Sequence, residues 1–242
     1  MTTVLYMKNI DGNYIKNFTA NVIKKKQDYI CLDQTAFYPV GGGQPCDTGS
    51  IKWENKESRV FDVVKKGDSI KHVIDGEIPL VGTKIMGVLD WMRRYNHMKM
   101  HTAQHILSGV VFDEYQARTV GNQIHELYSR VDFQPVKFNE QDLEFIEKTC
   151  NNIFKKHLSI KIYNEQRTSL EKRVDEQRCN LNLLPKSISI LRIVETEGFD
   201  ICPCAGTHVR NTKELPMMHI IKRETKGKER ERIIYTLSND TF

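Results

Sequence analysis

Two short stretches of this 242-residue chain carry side chains whose types and spacing suit a divalent cation: HTAQH at residues 101–105 and CAGTH at residues 204–208. His101 and His105 lie four positions apart, which on a helix puts both imidazoles on one face, a turn apart. The second stretch offers the Cys204 thiol and the His208 imidazole. Together they form a His/His/Cys/His donor set of soft and borderline atoms that suits zinc, with the sulfur bound as thiolate and the rings neutral. About a hundred residues separate the two halves, so they are not a compact zinc finger, whose ligand pairs lie far closer. A site assembled from distant segments points to chemistry; the structural alternative is a zinc that staples two elements. HTAQH is not H-E-x-x-H, because Ala103 and Gln104 offer no carboxylate base. Two alternatives stay open on spacing alone. His97 extends the four-residue ladder and otherwise reads as a surface or outer-layer histidine, and Cys202 in CPC competes with Cys204, which the tight CAGTH turn favours.

The elements that must position these groups can be read from periodicity. Up to about residue 90 the chain reads as short strands, including NVIKKKQDYICLD, SRVFDVVKKG, IKHVID and KIMGVLDW, which predicts a small β-barrel or sandwich. Helical periodicity then begins. At about 100° per residue Ala103, Ile106, Leu107, Val110 and Val111 share a core-facing stripe, with His97, His101 and His105 nearly opposite. Residues 121–138 read as extended. Asn139 caps a second helix with Leu143, Ile146, Cys150, Ile153 and Phe154 as its apolar stripe. SIKIYNE and ISILRIVE read as strands around a third, shorter helix at 170–177, and MMHIIKRET and ERIIYTLS as a hairpin joined by the basic turn KGKE. The expected fold is α+β: a barrel-like domain over 1–90, then an α+β domain over 91–242 with helices packed on an antiparallel sheet.

Composition narrows the class. With 39% hydrophobic and 28% charged residues the chain is neither disordered nor collagen-like. No stretch of 18 apolar residues and no basic-then-apolar leader is present, so the expectation is a cytoplasmic protein without a membrane partner. Six cysteines in that compartment read as thiols or ligands, with Cys31, Cys46, Cys150 and Cys179 as small buried hydrophobes. The net charge of +5 tolerates a polyanion. Arg93 and Arg94 precede the histidines, while Lys222, Arg223, Lys226, Lys228, Arg230 and Arg232 crowd the last hairpin. No feature of the sequence sets an oligomeric state.

HTAQHIL followed much later by CAGTHV resembles the editing domains of alanyl-tRNA synthetases and their free-standing relatives, the AlaX proteins. The threonyl-tRNA synthetase editing domain shares the H-x3-H and C-x3-H pattern. RRYNHMKMHTAQHILS, NQIHELYSRVDF and the basic hairpin also look like AlaX, and QTAFYPVGGGQPCDTG at 34–49 is similar to the glycine-rich motif of the longer AlaX forms. The match runs from about residue 34 to 235. One departure is Ala205, where the pattern has glycine; a left-handed conformation there would be strained.

The resemblance implies an aminoacyl-tRNA deacylase acting in trans, since the two domains leave no room for an adenylate-forming core. Its substrate would be mischarged alanine tRNA, with serine removed first and glycine second; DNA is not an implied partner. The alternatives are a deacylase of seryl-tRNA of the threonine type and a non-catalytic, zinc-stabilised tRNA-binding module. Zn2+ would sit on His101, His105, Cys204 and His208, which form the catalytic centre. Thr102, Gln104, Asn122 and Gln123 are the candidates for reading the serine hydroxyl. Gly41, Gly42, Gly43 and Gln44 would help place the acceptor end through backbone N–H groups, and Arg93, Arg94, Lys222, Lys226 and Lys228 would meet phosphates.

Overall fold

A computed structural model describes residues 2–175, 178, 181 and 184–239. The fold is α+β, and the chain divides into two compact units, Met1–His97 and Met98–Phe242. In chain order the first holds β1 (Thr3–Val4), a 3-10 turn, α1 (Ile10–Asn13), β2 (Asn17–Lys25), β3 (Tyr29–Leu32), β4 (Gln34–Thr35), β5 (Gly49–Trp53), β6 (Lys56–Lys66), β7 (Ser69–Asp75) and β8 (Lys84–Leu89). Helix α2 (Trp91–Tyr115) starts in the first unit and continues in the second. There follow β9 (Arg118–Ile124), β10 (Ser129–Gln134), α3 (Glu140–Phe154), β11 (Ile160–Gln166), α4 (Arg167–Leu170), β12 (Ile190–Thr196), β13 (Asp200–Pro203), β14 (Met217–Thr225) and β15 (Glu231–Ser238).

Strands β2, β3, β7, β6, β5 and β8 close into a barrel in that order, so no edge is left to pair with another chain. Alternation drives it: in β2, Phe18, Ala20 and Val22 point inward while Asn17, Thr19 and Asn21 face out. Phe37, Ile30, Leu32, Ile51 and Trp53 fill the interior. Gly87 lets the Phe18 ring lie against its backbone, since a Cβ there would sit 2.4 Å from the ring.

One polar pair is sealed into this core. Thr35 Oγ1 lies 2.9 Å from His72 Nε2, and burial pushes the His72 imidazole down to about 4. As pH falls below the ordinary 6.5, the unfolded chain takes a proton that the folded chain refuses until about pH 4. Barrel stability is therefore expected to fall between those values, by about 3 kcal/mol in all. Urea unfolding across that range checks this: His72→Gln should flatten the slope.

The second unit contains two antiparallel sheets, β14-β15-β10-β9 and β11-β12-β13, where the sequence suggested one. Asp90 caps α2, its Oδ1 accepting from the Arg93 N–H at 3.3 Å, and Gln116 at φ 53° ends it. The expected stripe of Ala103, Ile106, Leu107, Val110 and Val111 is buried. Val131, Phe133, Ile233 and Tyr235 of the four-stranded sheet are buried, and the Tyr235 hydroxyl ties the sheet to α2 by donating to the Met100 carbonyl at 2.7 Å. Asn139 caps α3 in a reciprocal pair with Asp142. Of the helix expected over 170–177, only Leu170 is helical among the described residues, as the buried last residue of the single turn α4, and 171–173 form turns; residues 176 and 177, like Cys179, lie outside the described residues. Cys31 and Cys150 are buried as expected, whereas Cys46 is half-buried with its thiol 3.3 Å from Asp62 Oδ1. Among the described residues no helix is long and apolar enough to cross a membrane.

Candidate metal centre and adjoining cavity

Helix α2 presents His101 and His105 one turn apart, their ring centroids 5.1 Å from each other. The β12–β13 hairpin delivers the other two donors. Cys204 follows directly on β13, its N–H donating to the Arg192 carbonyl at 3.1 Å and so extending the ladder one step. Its own carbonyl accepts from the Arg192 guanidinium. The chain then turns so that the Gly206 N–H points at Cys204 Sγ, 3.3 Å away, and the His208 ring arrives 4.4 Å from that of His101. Thr102 locks turn to helix: its hydroxyl accepts from the Val209 N–H at 3.2 Å and lies 3.2 Å from His208 Nδ1.

Donor separations test whether one cation fits. A tetrahedral ion with sulfur at ~2.3 Å and nitrogens at ~2.05 Å puts sulfur and nitrogen about 3.5 Å apart. Cys204 Sγ lies 3.5 Å from His101 Nε2 and 3.5 Å from His208 Nε2, and all four donor atoms fall within 4.8 Å of one another. The residues fit. His97 and Cys202 stay outside this cluster. His97 is buried, not at the surface, and Cys202 packs against the Leu170, Leu181, Leu191 and Ile193 cluster. Ala205 is not among the described residues at positive φ, so the strain expected there does not arise.

Electrostatics prepare the donors. Burial pushes the Cys204 thiol up, but His105, the Gly206 N–H and the Arg192 charge outweigh it, and the net shift is downward, toward thiolate. Burial, reinforced by Arg192, pushes His101 down to about 3; burial, its neighbouring imidazoles and Arg192 hold His208 well below the ordinary range. Neutral His101 and His208 rings and an acidified Cys204 thiol are the states a metal requires. The sequence reading missed Arg192. It sits between Leu191 and Ile193, both turned into the apolar cluster, so strand alternation sends its side chain to the opposite, metal-facing side.

A cavity of about 260 Å3 opens beside His105, with Gln104, Ser108, Arg118, Thr119, Asp200 and Pro203 in its wall. Its polar side is a network. Asn122 Nδ2 donates to Gln104 Oε1 at 3.2 Å, Gln104 Nε2 donates to Ser108 Oγ at 3.0 Å, and the Thr119 hydroxyl joins Ser108 at 2.8 Å. Ser108 and Thr119 carried no sequence signal beyond lying one turn from His105 and on the neighbouring strand.

Two of the four candidates for hydroxyl recognition are elsewhere. Thr102 is buried with its hydroxyl committed to Val209 and His208. Gln123 faces away from Asn122, as adjacent strand residues must, and its Oε1 accepts from Arg130 Nε at 3.0 Å and Nη2 at 2.7 Å. Arg94 is also corrected. It is fully buried, its guanidinium paired with Asp47 and donating to the carbonyls of Asn13 and Ala36, so it does not reach a phosphate. Arg93 is half-buried, with Nε donating to the Cys46 carbonyl at 3.2 Å. Gly41 and Gln44 bond each other at both ends of a tight turn, with Gly42 and Gly43 at φ 57° and 81° as a type I′ turn demands. The N–H groups of Gly41 and Gln44 are thus spent, Gln44 is buried, and the exposed tip is Gly42. Lys222, Lys226 and Lys228 are exposed; the first two each lie 2.7 Å from a Glu224 oxygen and hold that carboxyl down to about 2.

Thr102 supplies a test of the site's construction. Thr102→Val keeps the shape but removes the hydroxyl 3.2 Å from His208 Nδ1, and is expected to weaken the affinity of the cluster for a divalent metal 10–100-fold in chelator competition. Thr102→Ser should restore most of it.

Comparison with known proteins places this geometry. Residues 4–93 match the model for tRNA synthetases class II (A), and residues 191–234 match the second additional domain of threonyl and alanyl tRNA synthetases. The chain is 38% identical over 244 residues to an alanyl-tRNA editing protein, AlaX-M, of Methanosarcina barkeri, covering 98% of this chain and 99% of that one. AlaX-M of Saccharolobus solfataricus is 38% identical over 243 residues, with 98% and 99% covered. An alanine–tRNA ligase of Thermococcus kodakarensis is 32% identical over 226 residues, which is 92% of this chain and 24% of the ligase. With relatives 38% identical and matched end to end, the chain belongs to the AlaX family of alanyl-tRNA editing proteins.

Proposed function

We propose that this chain hydrolyses the ester joining serine, and secondarily glycine, to the 3′-terminal adenosine of alanine tRNA, at a zinc ion held by His101, His105, Cys204 and His208. The observation that carries this reading is the convergence of the four donors beside a cavity that has a polar side formed by Gln104, Ser108 and Thr119. When bound, the ion supplies positive charge to polarise the ester and orient the aminoacyl group. Thr102 keeps the His208 ring in place, Cys204 brings the negative charge, and Arg192 holds the Cys204 carbonyl. Residues 91–242 carry the chemistry. The barrel domain, 1–90, contributes RNA contacts through the Gly42 tip, and Arg93 at the start of α2 and Lys222, Lys226 and Lys228 of the hairpin add phosphate contacts.

The need for such a site follows from discrimination. A pocket sized for alanine admits glycine and rejects serine by only about 10². The cavity offers the reverse selectivity. Gln104 uses one lone pair of Oε1 and one hydrogen of Nε2 within the network, which leaves an acceptor and a donor for a serine hydroxyl. Alanine leaves each without its partner, at about 1–3 kcal/mol apiece.

The test presents seryl-, glycyl- and alanyl-tRNA of the alanine type, and seryl-tRNA of the threonine type, with and without chelator. The expected order is seryl, then glycyl, with the alanyl ester about 100-fold slower than seryl, and with hydrolysis lost on metal removal and restored by zinc. Preference for the threonine-type tRNA would reassign the substrate. Equal, metal-indifferent hydrolysis of all three alanine-type esters would overturn the reading.

A further inference from the structure

We infer that Arg118 and Arg130 form a phosphate track, carrying the RNA strand from the cavity mouth across edge strand β9 onto the outer face of the four-stranded sheet. The inference rests on the tRNA reading above and adds where the strand upstream of the ester runs. Arg118 opens β9; it is exposed and forms part of the wall of the cavity that His105 lines. Arg130 lies on β10 directly opposite Gln123, on the sheet face turned away from α2. Since β9 is the edge strand, no other strand stands between the two positions on that side. The five residue steps from Arg118 to Gln123 span at most about 17 Å at ~3.4 Å each, a reach suited to a short unpaired strand.

Both arginines hold charge in reserve. Among the described residues neither makes an ion pair. Gln123 grips the Arg130 guanidinium along two N–H groups, fixing its plane without neutralising it, which is how a rigid fork is presented to a phosphate. Cations of the same face neutralise its carboxylates. Arg230 and Arg232 both bond Asp132, at 2.8 and 2.6 Å, while Lys222 and Lys226 hold Glu224. Counting Arg130, five cations meet two carboxylates, an excess of three positive charges that complements a polyanion. The basic run visible in the sequence is therefore divided: Arg223 turns to the Phe138 carbonyl and Glu231, and Arg118 and Arg130 on β9 and β10 add charge outside that run.

The experiment compares wild type with Arg118→Gln and Arg130→Gln on seryl-tRNA of the alanine type across a salt series. Each variant is expected to raise KM about 5–10-fold, with the loss in KM rather than kcat, and to lower the slope of log affinity against log salt by about 0.7, the value for one single-strand phosphate. Arg118→Lys should recover most of the loss. On seryl-adenosine, which has no upstream phosphate, Arg130→Gln should match wild type. Unchanged KM and salt slope, or an equal deficit of Arg130→Gln on seryl-adenosine, would overturn the track. So would an equal weakening of binding to unrelated duplex DNA, which would make the face a general polyanion surface. A wild type that hydrolyses no seryl-tRNA would instead remove the functional reading on which the track rests.

Discussion

Cys204→Ala is expected to abolish stoichiometric zinc binding and to lower seryl-tRNA hydrolysis by about 10³-fold or more, with the circular dichroism of the fold retained. Loss of an outer partner of a metal ligand costs 10–100-fold in affinity. Removing the one anionic donor costs more, because three buried imidazoles would then have to hold a divalent ion beside the Arg192 charge, with no negative donor to offset it. The fold survives because the cores lie elsewhere: the barrel is filled by Phe37, Ile51 and Trp53, and the sheet by Val131, Phe133 and Tyr235. Zinc content by mass spectrometry, hydrolysis rate and the circular dichroism spectrum, measured on one preparation, separate the possibilities. An unfolded variant would identify the ion as a structural staple, and an active, zinc-loaded variant would remove Cys204 from the site.

The second large effect lies in the barrel unit. Asp47→Ala is expected to destabilise it by about 3–5 kcal/mol, the usual result of stripping one partner from a buried ion pair. Arg94 and Asp47 are both fully buried, and Asp47 also accepts from the Tyr38 N–H at 2.6 Å, tying down the stretch that bears the glycine turn. Against a typical total of about 5–15 kcal/mol, such a loss leaves little reserve. Urea unfolding reads it directly. The double replacement Arg94→Met with Asp47→Leu should recover much of the loss, because apolar residues of similar volume leave no stranded charge. A single variant within about 1 kcal/mol of wild type would mean that Arg94 finds water or another acceptor.

Sequence periodicity disclosed what depends on a repeated pattern. The run of short strands up to about residue 90 foretold a barrel or sandwich, and the stripe from Ala103 to Val111 foretold the buried side of α2. The four candidate donors were legible because i, i+4 spacing on a helix and a short C-x3-H turn each constrain two donors, and the fold brings together the set the sequence favoured, leaving His97 and Cys202 outside it. What stayed hidden depends on a single step of phase. Arg93 and Arg94 are indistinguishable as letters, yet about 100° of helical rotation leaves one half-exposed and buries the other against Asp47. In GNQI no apolar alternation marks the inner side, so Asn122 and Gln123 looked equivalent while the pleat sends them to opposite faces. Arg192 is hidden for a third reason, since its partner is a backbone carbonyl twelve residues on.

X-ray absorption at the zinc edge of the loaded chain tests the central assignment most directly. The expected shell has one sulfur at about 2.3 Å and three nitrogens at about 2.0–2.1 Å, the sulfur vanishing in Cys204→Ala. A shell with two sulfurs, or with none, would contradict the assignment of His101, His105, Cys204 and His208 to one ion.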